Sequence, residues 1–229
     1  MGYTRIDLNT YVVLSIWFGC NNDCTICMLS EMKDTLHPLR FNQYTKALVD
    51  LKKAGRFENL ILSGAEVTTF PDLERYIQYA DSLDWFKKIQ IQTNGRRLAD
   101  PAYLDRLIAS GVNEFFVSIH GPEEVHDRIT QVPGSFKETM AGIENLKAYP
   151  VNLVTNTVLT TLNYPHIEPF MEQLCRSSAH EIHMWNFYPM EPTDSRDLVV
   201  DIHDFVVLLS KLLPIFRSAG KVLVLKSFP

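Results

Sequence analysis

Residues 11–27 read YVVLSIWFGCNNDCTIC and join two features on which the predicted architecture depends. The first half is an apolar run rich in β-branched residues, which predicts a strand buried on both faces. The second half places Cys20, Cys24 and Cys27 within eight residues, just past the end of that strand. We therefore expect a buried strand whose carboxyl end leads into a loop that carries three thiols.

Similar apolar runs recur along the chain and alternate with longer stretches of helical periodicity. We predict strands over residues 11–17, 59–62, 88–92, 114–119, 152–159, 181–188 and 221–225. We predict helices over about 42–54, 71–83, 101–110, 136–147, 165–175 and 202–219. Pro101 and Pro165 suit first helical turns, and Gly55, Gly111 and Gly220 suit helix ends.

This order, a strand followed by repeated helix–strand units, predicts an α/β fold. Its connections are short, and crossovers between parallel strands are right-handed, so we expect a parallel sheet with helices packed outside it. Six or seven strands suit an open curved barrel or a doubly wound sheet, and periodicity alone leaves both open. In both architectures ligands bind at the carboxyl ends of the strands.

The composition excludes several classes of protein. The chain has 229 residues, of which 46% are hydrophobic, as in an ordinary folded protein. The chain has a net charge of −5, whereas dedicated nucleic-acid-binding proteins usually carry an excess of basic residues. The N-terminus has no secretory layout, and the apolar stretches 11–20 and 205–216 are too short to span a membrane. We expect a cytoplasmic protein, and in that reducing compartment clustered cysteines bind metal more often than they pair.

The three clustered cysteines form a C-x3-C-x2-C run, and Cys175 lies alone far downstream. Structural zinc sites use four ligands, usually from two separated pairs, and this chain has no second pair. Three thiolates suit a [4Fe–4S] cluster with one iron left open. Two alternatives stay open at this point: incidental thiols, and a zinc ion whose ligand set a histidine completes.

The spacing of Cys20, Cys24 and Cys27, with the apolar Ile26 before the last cysteine, resembles the hallmark of the radical S-adenosylmethionine (radical SAM) superfamily. The resemblance implies that the three thiolates ligate a [4Fe–4S] cluster. It implies that the open iron binds the amino and carboxylate groups of S-adenosylmethionine. Reductive cleavage of that cofactor would then yield a 5′-deoxyadenosyl radical that abstracts hydrogen from a substrate.

The second predicted strand ends in Gly64, Ala65 and Glu66, which resemble the family's Gly-Gly-Glu-Pro-Thr segment. Small residues let backbone approach a ligand closely, and a carboxylate accepts hydrogen bonds from an ammonium group. The resemblance implies that these residues receive the methionyl amine. Ala65 and Val67 depart from the family pattern. The alternative is a turn with a solvated glutamate.

The third and fourth predicted strands also end in segments that resemble the family. Asn94 lies in a Thr-Asn-Gly turn, which is either a cofactor contact or a simple strand-end turn.

Ser118, at the end of the fourth predicted strand, begins a segment similar to Ser-Leu-Asp-Gly-Pro…His-Asp of the MoaA/PqqE and anaerobic sulfatase-maturase branch. The resemblance implies that Ser118 contacts the ribose or methionyl part of S-adenosylmethionine. His120 replaces the usual Asp, and we expect a hydrogen-bonded histidine beside the pocket. Arg128 pairs either with the ligand carboxylate or in a surface salt bridge.

Two further residues complete the predicted cofactor site. Asn156 lies in a buried apolar run, where an amide needs partners, and the ligand's ribose or carboxylate is one candidate. Tyr188 follows the sixth strand, where relatives contact the adenine.

Other polar or reactive residues have simpler predicted roles. Cys175 lies in a helical apolar pattern, so we expect it to pack as a buried thiol. Glu191, His203 and residues 194–204 either shape substrate entry or form a solvated loop.

The resemblance covers about residues 11–228 and implies a partial (β/α)6 TIM-like barrel. We expect a single radical SAM core domain over residues 1–229. Relatives in this branch commonly carry a cysteine-rich C-terminal extension, so the chain is either a single-cluster enzyme or a truncated one, and we expect truncation. The resemblance also implies an external electron donor of flavodoxin or ferredoxin type.

The function predicted from the sequence is radical SAM catalysis on a peptide, as in modification of ribosomally made peptides, or on a small metabolite. The reaction class (oxidoreductase, transferase or isomerase) stays undetermined. The alternative is a non-catalytic iron–sulfur redox sensor or electron carrier on the same scaffold. The residues implied for S-adenosylmethionine binding favour the enzyme, because a carrier needs no cofactor pocket.

Overall fold

A single parallel sheet of seven strands runs through the protein, and a computed structural model describes residues 8–30, 32, 35–189 and 196–226. The strands are β1 (Tyr11–Trp17), β2 (Asn59–Gly64), β3 (Lys88–Thr93), β4 (Glu114–Ser118), β5 (Asn152–Leu159), β6 (Glu181–Asn186) and β7 (Val222–Lys226). The helices are α1 (Phe41–Ala54), α2 (Leu73–Ser82), α3 (Pro101–Ala109), α4 (Glu123–Thr130), α5 (Ser135–Asn145), α6 (Ile167–Cys175) and α7 (Ile202–Ala219). All seven predicted strands are confirmed.

The strand order decides between the two architectures that the sequence left open. The strands pair in chain order from β1 to β7, and every pair is parallel. A doubly wound sheet would reverse its order at a switch point, and an unbroken order puts all right-handed crossovers on one side. The fold is therefore the predicted partial TIM-like barrel, with β7 added beyond six strands.

Hydrogen bonds across the concave face show how strongly the sheet curves. The Tyr11 hydroxyl on β1 donates to Glu114 Oε1 on β4 at 2.7 Å, although two strands lie between them. In a flat sheet those strands would be roughly 14 Å apart. The rings of Phe116 on β4 and His183 on β6 likewise meet with centroids 5.1 Å apart. The concave face therefore encloses a space, called here the lumen.

The alternation of side chains separates the apolar core from this lumen. Residues such as Leu60, Ile91 and Phe115 point outward into the apolar core formed with the helices. The alternate positions carry buried polar side chains, among them Gln90, Glu114, Asn156, Glu181 and His183. A parallel barrel whose lumen is polar has a core on one side of its sheet and a site for ligands on the other.

Most predicted helix boundaries are confirmed within a few residues. Pro101 begins α3, where the Asp100 side chain accepts from the Ala102 N–H at 3.0 Å. Gly55 and Gly220 end α1 and α7 in the left-handed conformation. The predicted helix over 136–147 ends at residue 145 and continues as a 3-10 turn, and residues 164–166 form another turn before α6.

Helix α4 is absent from the predicted elements. Its sequence EEVHDRIT has only Val125 and Ile129 as apolar residues, which is too little for a periodic signal. Its two glutamates lie in the first turn, where the helix dipole favours negative charge.

Among the described residues, no helix has the length and apolar character that crossing a bilayer requires.

Candidate metal and cofactor site

The loop after β1 carries the three clustered cysteines at the carboxyl edge of the sheet. All four cysteines of the chain are free thiols; Cys20 and Cys27 are exposed, and Cys24 is half-buried. The Cys27 N–H donates to Cys24 O at 3.2 Å, and the Asn22 N–H donates to Cys20 Sγ at 3.3 Å. The loop therefore turns back on itself and directs a backbone donor at one sulfur.

The three thiols influence one another electrostatically. Burial raises the pKa of Cys24 to about 12, and the charges of Cys20 and Cys27 add to that rise. Burial also raises the pKa of Cys20. Across the described residues, no three His, Cys, Asp or Glu side chains already stand in a metal-binding arrangement. The donor chemistry, three thiols on one short loop with no disulfide among them, fits an iron–sulfur cluster.

Helix α4 holds one side of the cysteine loop. The Asp23 N–H donates to Thr130 O at 3.1 Å, and the Thr25 N–H donates to Ile129 O at 2.9 Å. These carbonyls belong to the last turn of α4, where carbonyl groups lack partners within the helix. The element that the sequence analysis missed therefore fixes the backbone between the first and third cysteines.

The turn after β3 holds the other side of the loop. Asn94 Nδ2 donates to Asn21 Oδ1 at 2.7 Å, and Asn94 Oδ1 accepts from the Arg96 N–H at 3.1 Å. Arg96 Nη1 donates to Asn21 O at 2.5 Å and to Asn22 Oδ1 at 2.8 Å. Both ends of the Asn94 amide are thus engaged within the protein, as in a strand-end turn, and a contact between Asn94 and a cofactor stays a prediction.

Glu66 is buried just after the end of β2. Its side chain is 1% exposed, so the solvated-glutamate alternative is wrong. Oε1 accepts from the Thr68 N–H at 3.0 Å and from the hydroxyls of Thr68 and Thr93 at 2.5 and 2.6 Å. Oε2 accepts from the Asn94 N–H at 2.5 Å. Four donors within the protein anchor this carboxylate, and the expectation that it also accepts from a ligand ammonium stays a prediction.

Burial raises the pKa of Glu66, and hydrogen bonds from Asn94, Thr68 and Thr93 oppose that rise. These donors come from the turn after β2 and from the end of β3. A buried carboxylate is costly unless it is hydrogen-bonded, and four donors meet that requirement. Glu66 therefore joins two neighbouring strand ends beside the cysteine loop.

Gly64 lets β2 approach β1 where the cysteine loop begins. The register of the two strands shifts between Ser15 and Trp17, opposite the end of β2. Gly64 has φ 139°, and a Cβ there would lie 1.8 Å from Trp17 O. The Ala65 and Glu66 N–H groups donate to Trp17 O at 2.9 Å and Gly19 O at 3.0 Å. Gly64 and Ala65 are half-exposed, so their backbone can meet a ligand.

Ser118 and Asn156 are neighbours across the β4–β5 pair, as the predicted site requires. Asn156 is 4% exposed, and its Oδ1 has no hydrogen-bond partner among the described residues. A buried acceptor without a partner is rare and needs an explanation such as a bound ligand. An amide oxygen beside a hydroxyl suits the hydroxyl and ammonium groups of S-adenosylmethionine.

His120 is buried, and its Nδ1 accepts from the Val158 N–H at 3.3 Å. The backbone N–H of His120 donates to Nδ1 of the buried His126 at 3.0 Å. Burial lowers the pKa of His120 to about 3 and that of His126 to about 4, so both rings are neutral near pH 7. The expectation of a hydrogen-bonded histidine at position 120 is confirmed.

The remaining predicted residues lie at different depths. Cys175 is buried in the apolar core, which confirms its packing role. Ile26 is half-buried in the cysteine loop, and Tyr188 is 68% exposed beyond β6.

The residues considered for ligand pairing or substrate entry lie elsewhere. Arg128 lies on the exposed face of α4. Glu191 and residues 194 and 195 lie outside the described residues, and His203 is exposed at the start of α7.

Sequence reasoning missed a polar pair in the lumen. His183 Nε2 lies 2.6 Å from Glu181 Oε1, and both residues are at most 3% exposed. Trp185 Nε1 contacts His183 Nδ1 at 3.4 Å. The signal was present, because Glu181, His183 and Trp185 alternate with apolar residues along β6. These side chains face the same enclosed space as Ser118 and Asn156.

Comparison with known proteins gives a consistent result. The family model described as the Radical SAM superfamily matches residues 14–174. An AdoMet-dependent heme synthase of Methanosarcina barkeri is 30% identical over 182 residues, which is 79% of this chain and 51% of that protein. The sporulation killing factor maturation protein SkfB of Bacillus subtilis is 24% identical over 72% of this chain and 40% of that protein.

The structural comparison supports the same fold. The crystal structure of Streptococcus suis SuiB superposes with a TM-score of 0.77 at 14% identity, covering 96% of this chain and 49% of that one. At such identity the likeness concerns the fold alone. The chain spans about half the length of the curated relatives that it matches.

Proposed function

This chain belongs to the radical SAM superfamily, and on that premise we propose that it is the core of an enzyme that cleaves S-adenosylmethionine reductively. Cys20, Cys24 and Cys27 would hold a [4Fe–4S] cluster. The chemistry that such a cluster supplies when bound and reduced is one-electron cleavage of S-adenosylmethionine, which releases the 5′-deoxyadenosyl radical that takes hydrogen from a substrate. A flavodoxin or ferredoxin would supply the electron.

The observation that carries the proposal is the position of the three thiols. They lie on the loop after β1, at the sheet edge where ligands bind in folds of this kind. The ends of β2 and β3 and the last turn of α4 all hold that loop. These hydrogen bonds fix the backbone of the loop, which would position the three cysteine thiolates for binding a cluster.

The remaining residues have separable roles in the proposed site. Gly64, Ala65 and Glu66 would receive the methionyl ammonium, and Glu66 would at the same time hold the turn after β3 through the Asn94 N–H. Asn156 Oδ1 and the Ser118 hydroxyl would bind the ribose or the methionyl part. Ile26 would pack against the bound group, and Tyr188 would contact the adenine. Exclusion of water from the lumen would protect the radical.

We propose a peptide as the substrate class. One relative is named for maturation of a killing factor, and Streptococcus suis SuiB, which shares the fold, has been crystallised bound to the precursor peptide SuiA. A peptide side chain entering the lumen would meet Phe116, His183 and Trp185. The second candidate is a small metabolite, because the relative at 30% identity is a heme synthase. Residues 1–229 would form the core domain of either enzyme.

The test is anaerobic reconstitution of the full chain with iron and sulfide, followed by dithionite and S-adenosylmethionine. We expect 5′-deoxyadenosine from the wild type and from Cys175→Ala, and only background from Cys24→Ala. Cys175→Ala is the matched control, because it also removes a thiol, but from the apolar core. Equal yields from Cys24→Ala and the wild type would contradict the proposal.

Two further outcomes separate the alternatives. A cluster that forms without any 5′-deoxyadenosine above the Cys24→Ala level would favour an electron carrier or redox sensor. Zinc in place of iron, in elemental analysis of anaerobically prepared protein, would refute the cluster itself. We expect a brown protein that bleaches in air, since a cluster with only three thiolates exposes one iron.

A further inference from the structure

Arg96 lies where the turn after β3 meets the cysteine loop. It begins the 3-10 turn Arg96–Ala99, and its side chain is 15% exposed. Nη1 donates to Asn21 O at 2.5 Å and to Asn22 Oδ1 at 2.8 Å. These two asparagines lie between Cys20 and Cys24. One guanidinium nitrogen therefore donates both to the backbone and to a side chain of the segment between Cys20 and Cys24.

A carboxylate on a neighbouring helix fixes the same guanidinium from behind. Arg96 Nε donates to Glu138 Oε2 at 2.5 Å, and Glu138 lies in the first turn of α5. A planar guanidinium can present different edges to two partners at once, whereas an ammonium is a point charge. Because Glu138 balances the charge of Arg96, the arrangement points to a geometric role more than to an electrostatic one.

Helix α5 provides a rigid support for this pair. A Cβ on Gly142 would lie 2.5 Å from Gly95 O, so the helix packs closely against the turn that carries Arg96. Thr139 Oγ1 donates to Asn94 O at 2.8 Å. The Asp127 carboxylate accepts from the Gly134 and Phe136 N–H groups at 2.6 and 2.8 Å, at the start of α5. The support thus extends from α4 through α5 to the turn.

The loop itself has little other burial to hold it. Cys20, Asp23, Thr25, Cys27 and Met28 are all exposed. Its described attachments are therefore mainly hydrogen bonds, to α4 on one side and to Asn94 and Arg96 on the other. With few apolar contacts, each charge-assisted hydrogen bond carries a large share of the local stability.

We propose that Arg96 is a positioning residue that holds the Asn21–Asn22 segment, and so sets the spacing of Cys20 and Cys24 for cluster binding. Glu138 is the residue that orients Arg96. This inference rests on the proposed function for its consequence, cluster retention, but its structural part concerns the chain without any metal.

The experiment uses the full chain as Arg96→Gln, Arg96→Lys and Glu138→Gln variants. Arg106→Gln is the matched control, since Arg106 also pairs with a glutamate, Glu74, but on the exposed surface of α3. Hydrogen exchange of the metal-free chain is followed in peptides covering residues 20–30. Release of iron to a ferrous chelator is followed after anaerobic reconstitution.

In Arg96→Gln, which removes both hydrogen bonds of Nη1 to the loop, we expect amide exchange over residues 21–25 and iron release to be at least about tenfold faster, since about 1.4 kcal/mol corresponds to tenfold. Arg96→Lys should recover only part of this loss, because it restores the charge without the fork. Glu138→Gln should show a smaller change in the same direction, and Arg106→Gln none. Wild-type exchange and iron release in Arg96→Gln would overturn the inference, as would full recovery in Arg96→Lys.

The two proposals fail in different ways. If the wild type takes up no iron, the proposed function fails, and exchange in the metal-free chain still decides the role of Arg96. If Arg96→Gln loses global structure by circular dichroism, Glu138→Gln, which leaves the arginine in place, decides it through the same exchange measurement. Unchanged loop exchange in Glu138→Gln would then count against the inference.

Discussion

Glu66 Oε2 accepts a hydrogen bond from the backbone N–H of Asn94 at 2.5 Å, so a buried carboxylate after β2 holds the turn after β3. The same turn holds Asn21 through the Asn94 side chain. Two segments that resemble separate cofactor motifs are therefore parts of one hydrogen-bonded assembly around the cysteine loop. Together they fix the surroundings of that loop.

Glu66→Gln should destabilise the protein. The amide that replaces one carboxylate oxygen would direct a donor at Asn94 N–H or at the threonine donors, which leaves buried groups without acceptors. We expect a loss of about 1–3 kcal/mol in the free energy of unfolding by urea. Glu74→Gln, on the surface, should change it by less than about 0.5 kcal/mol. Equal effects of the two substitutions would show that the buried carboxylate is not structural.

Gly64→Ala should be among the most damaging single substitutions. Its φ of 139° disfavours any side chain, and the new Cβ would overlap Trp17 O, which lies 1.8 Å away. We expect a loss of more than about 3 kcal/mol, from strain and overpacking together. Gly220→Ala is the control, because its Cβ meets open space at φ 63°, and it should cost only about 1 kcal/mol. A Gly64→Ala protein as stable as Gly220→Ala would contradict the close approach of β2 to β1.

Stability should fall as the pH drops through the range in which unfolded histidines titrate. Burial lowers the pKa of His120 to about 3 and that of His126 to about 4, against about 6.5 in the unfolded chain. The unfolded state therefore binds more protons between these values, and stability is highest above about pH 6.5. Between pH 7 and pH 5 we expect a loss on the order of 2 kcal/mol per histidine.

The measurement is urea unfolding at pH 7 and pH 5 for the wild type, His126→Gln and His203→Gln. His126→Gln should reduce the pH dependence by about half. His203, exposed at the start of α7, is the control, and its replacement should leave the dependence unchanged. A wild type equally stable at both pH values would show that the two rings are not held neutral.

Asn156→Ala should weaken S-adenosylmethionine binding more than it weakens the fold. Its Oδ1 has no partner among the described residues, so its removal deletes no hydrogen bond at that atom. We expect the dissociation constant for S-adenosylmethionine, measured by calorimetry on reconstituted protein, to rise about tenfold. Asn163→Ala should do the reverse, because Asn163 binds Thr160 N–H, His120 O and Val158 O and is fully buried. Equal ligand affinities in Asn156→Ala and the wild type would remove Asn156 from the site.

The sequence was most informative where hydrophobic periodicity decides structure. The strands β1 to β7 were predictable because each is either a run of apolar residues or, as in β3 and β6, an alternation of apolar and polar residues. Periodicity does not report which strands pair, so only the family resemblance predicted the open barrel. Helix α4 escaped prediction because two apolar residues in eight carry no period; in the structure it contacts α5 and accepts hydrogen bonds from the cysteine loop.

The candidate site was predictable in its residues more than in their roles. The cysteine spacing indicated the three proposed ligands, which is still a prediction, and Asn156 was identified correctly as a buried amide in need of a partner. The task of Glu66 depends on donors from Thr68, Thr93 and Asn94, which meet only after folding. Arg96 gave no signal at all, since an arginine in a turn is ordinarily a solvated residue.

The measurement that tests the central claim most directly is low-temperature electron paramagnetic resonance of the dithionite-reduced, reconstituted protein before and after addition of S-adenosylmethionine. A cluster held by Cys20, Cys24 and Cys27 with one open iron predicts a [4Fe–4S]⁺ signal whose shape changes when the cofactor binds. Cys24→Ala should lose that signal, and Cys175→Ala should keep both the signal and its change. A signal that S-adenosylmethionine leaves unaltered, or one that persists in Cys24→Ala, would contradict the account.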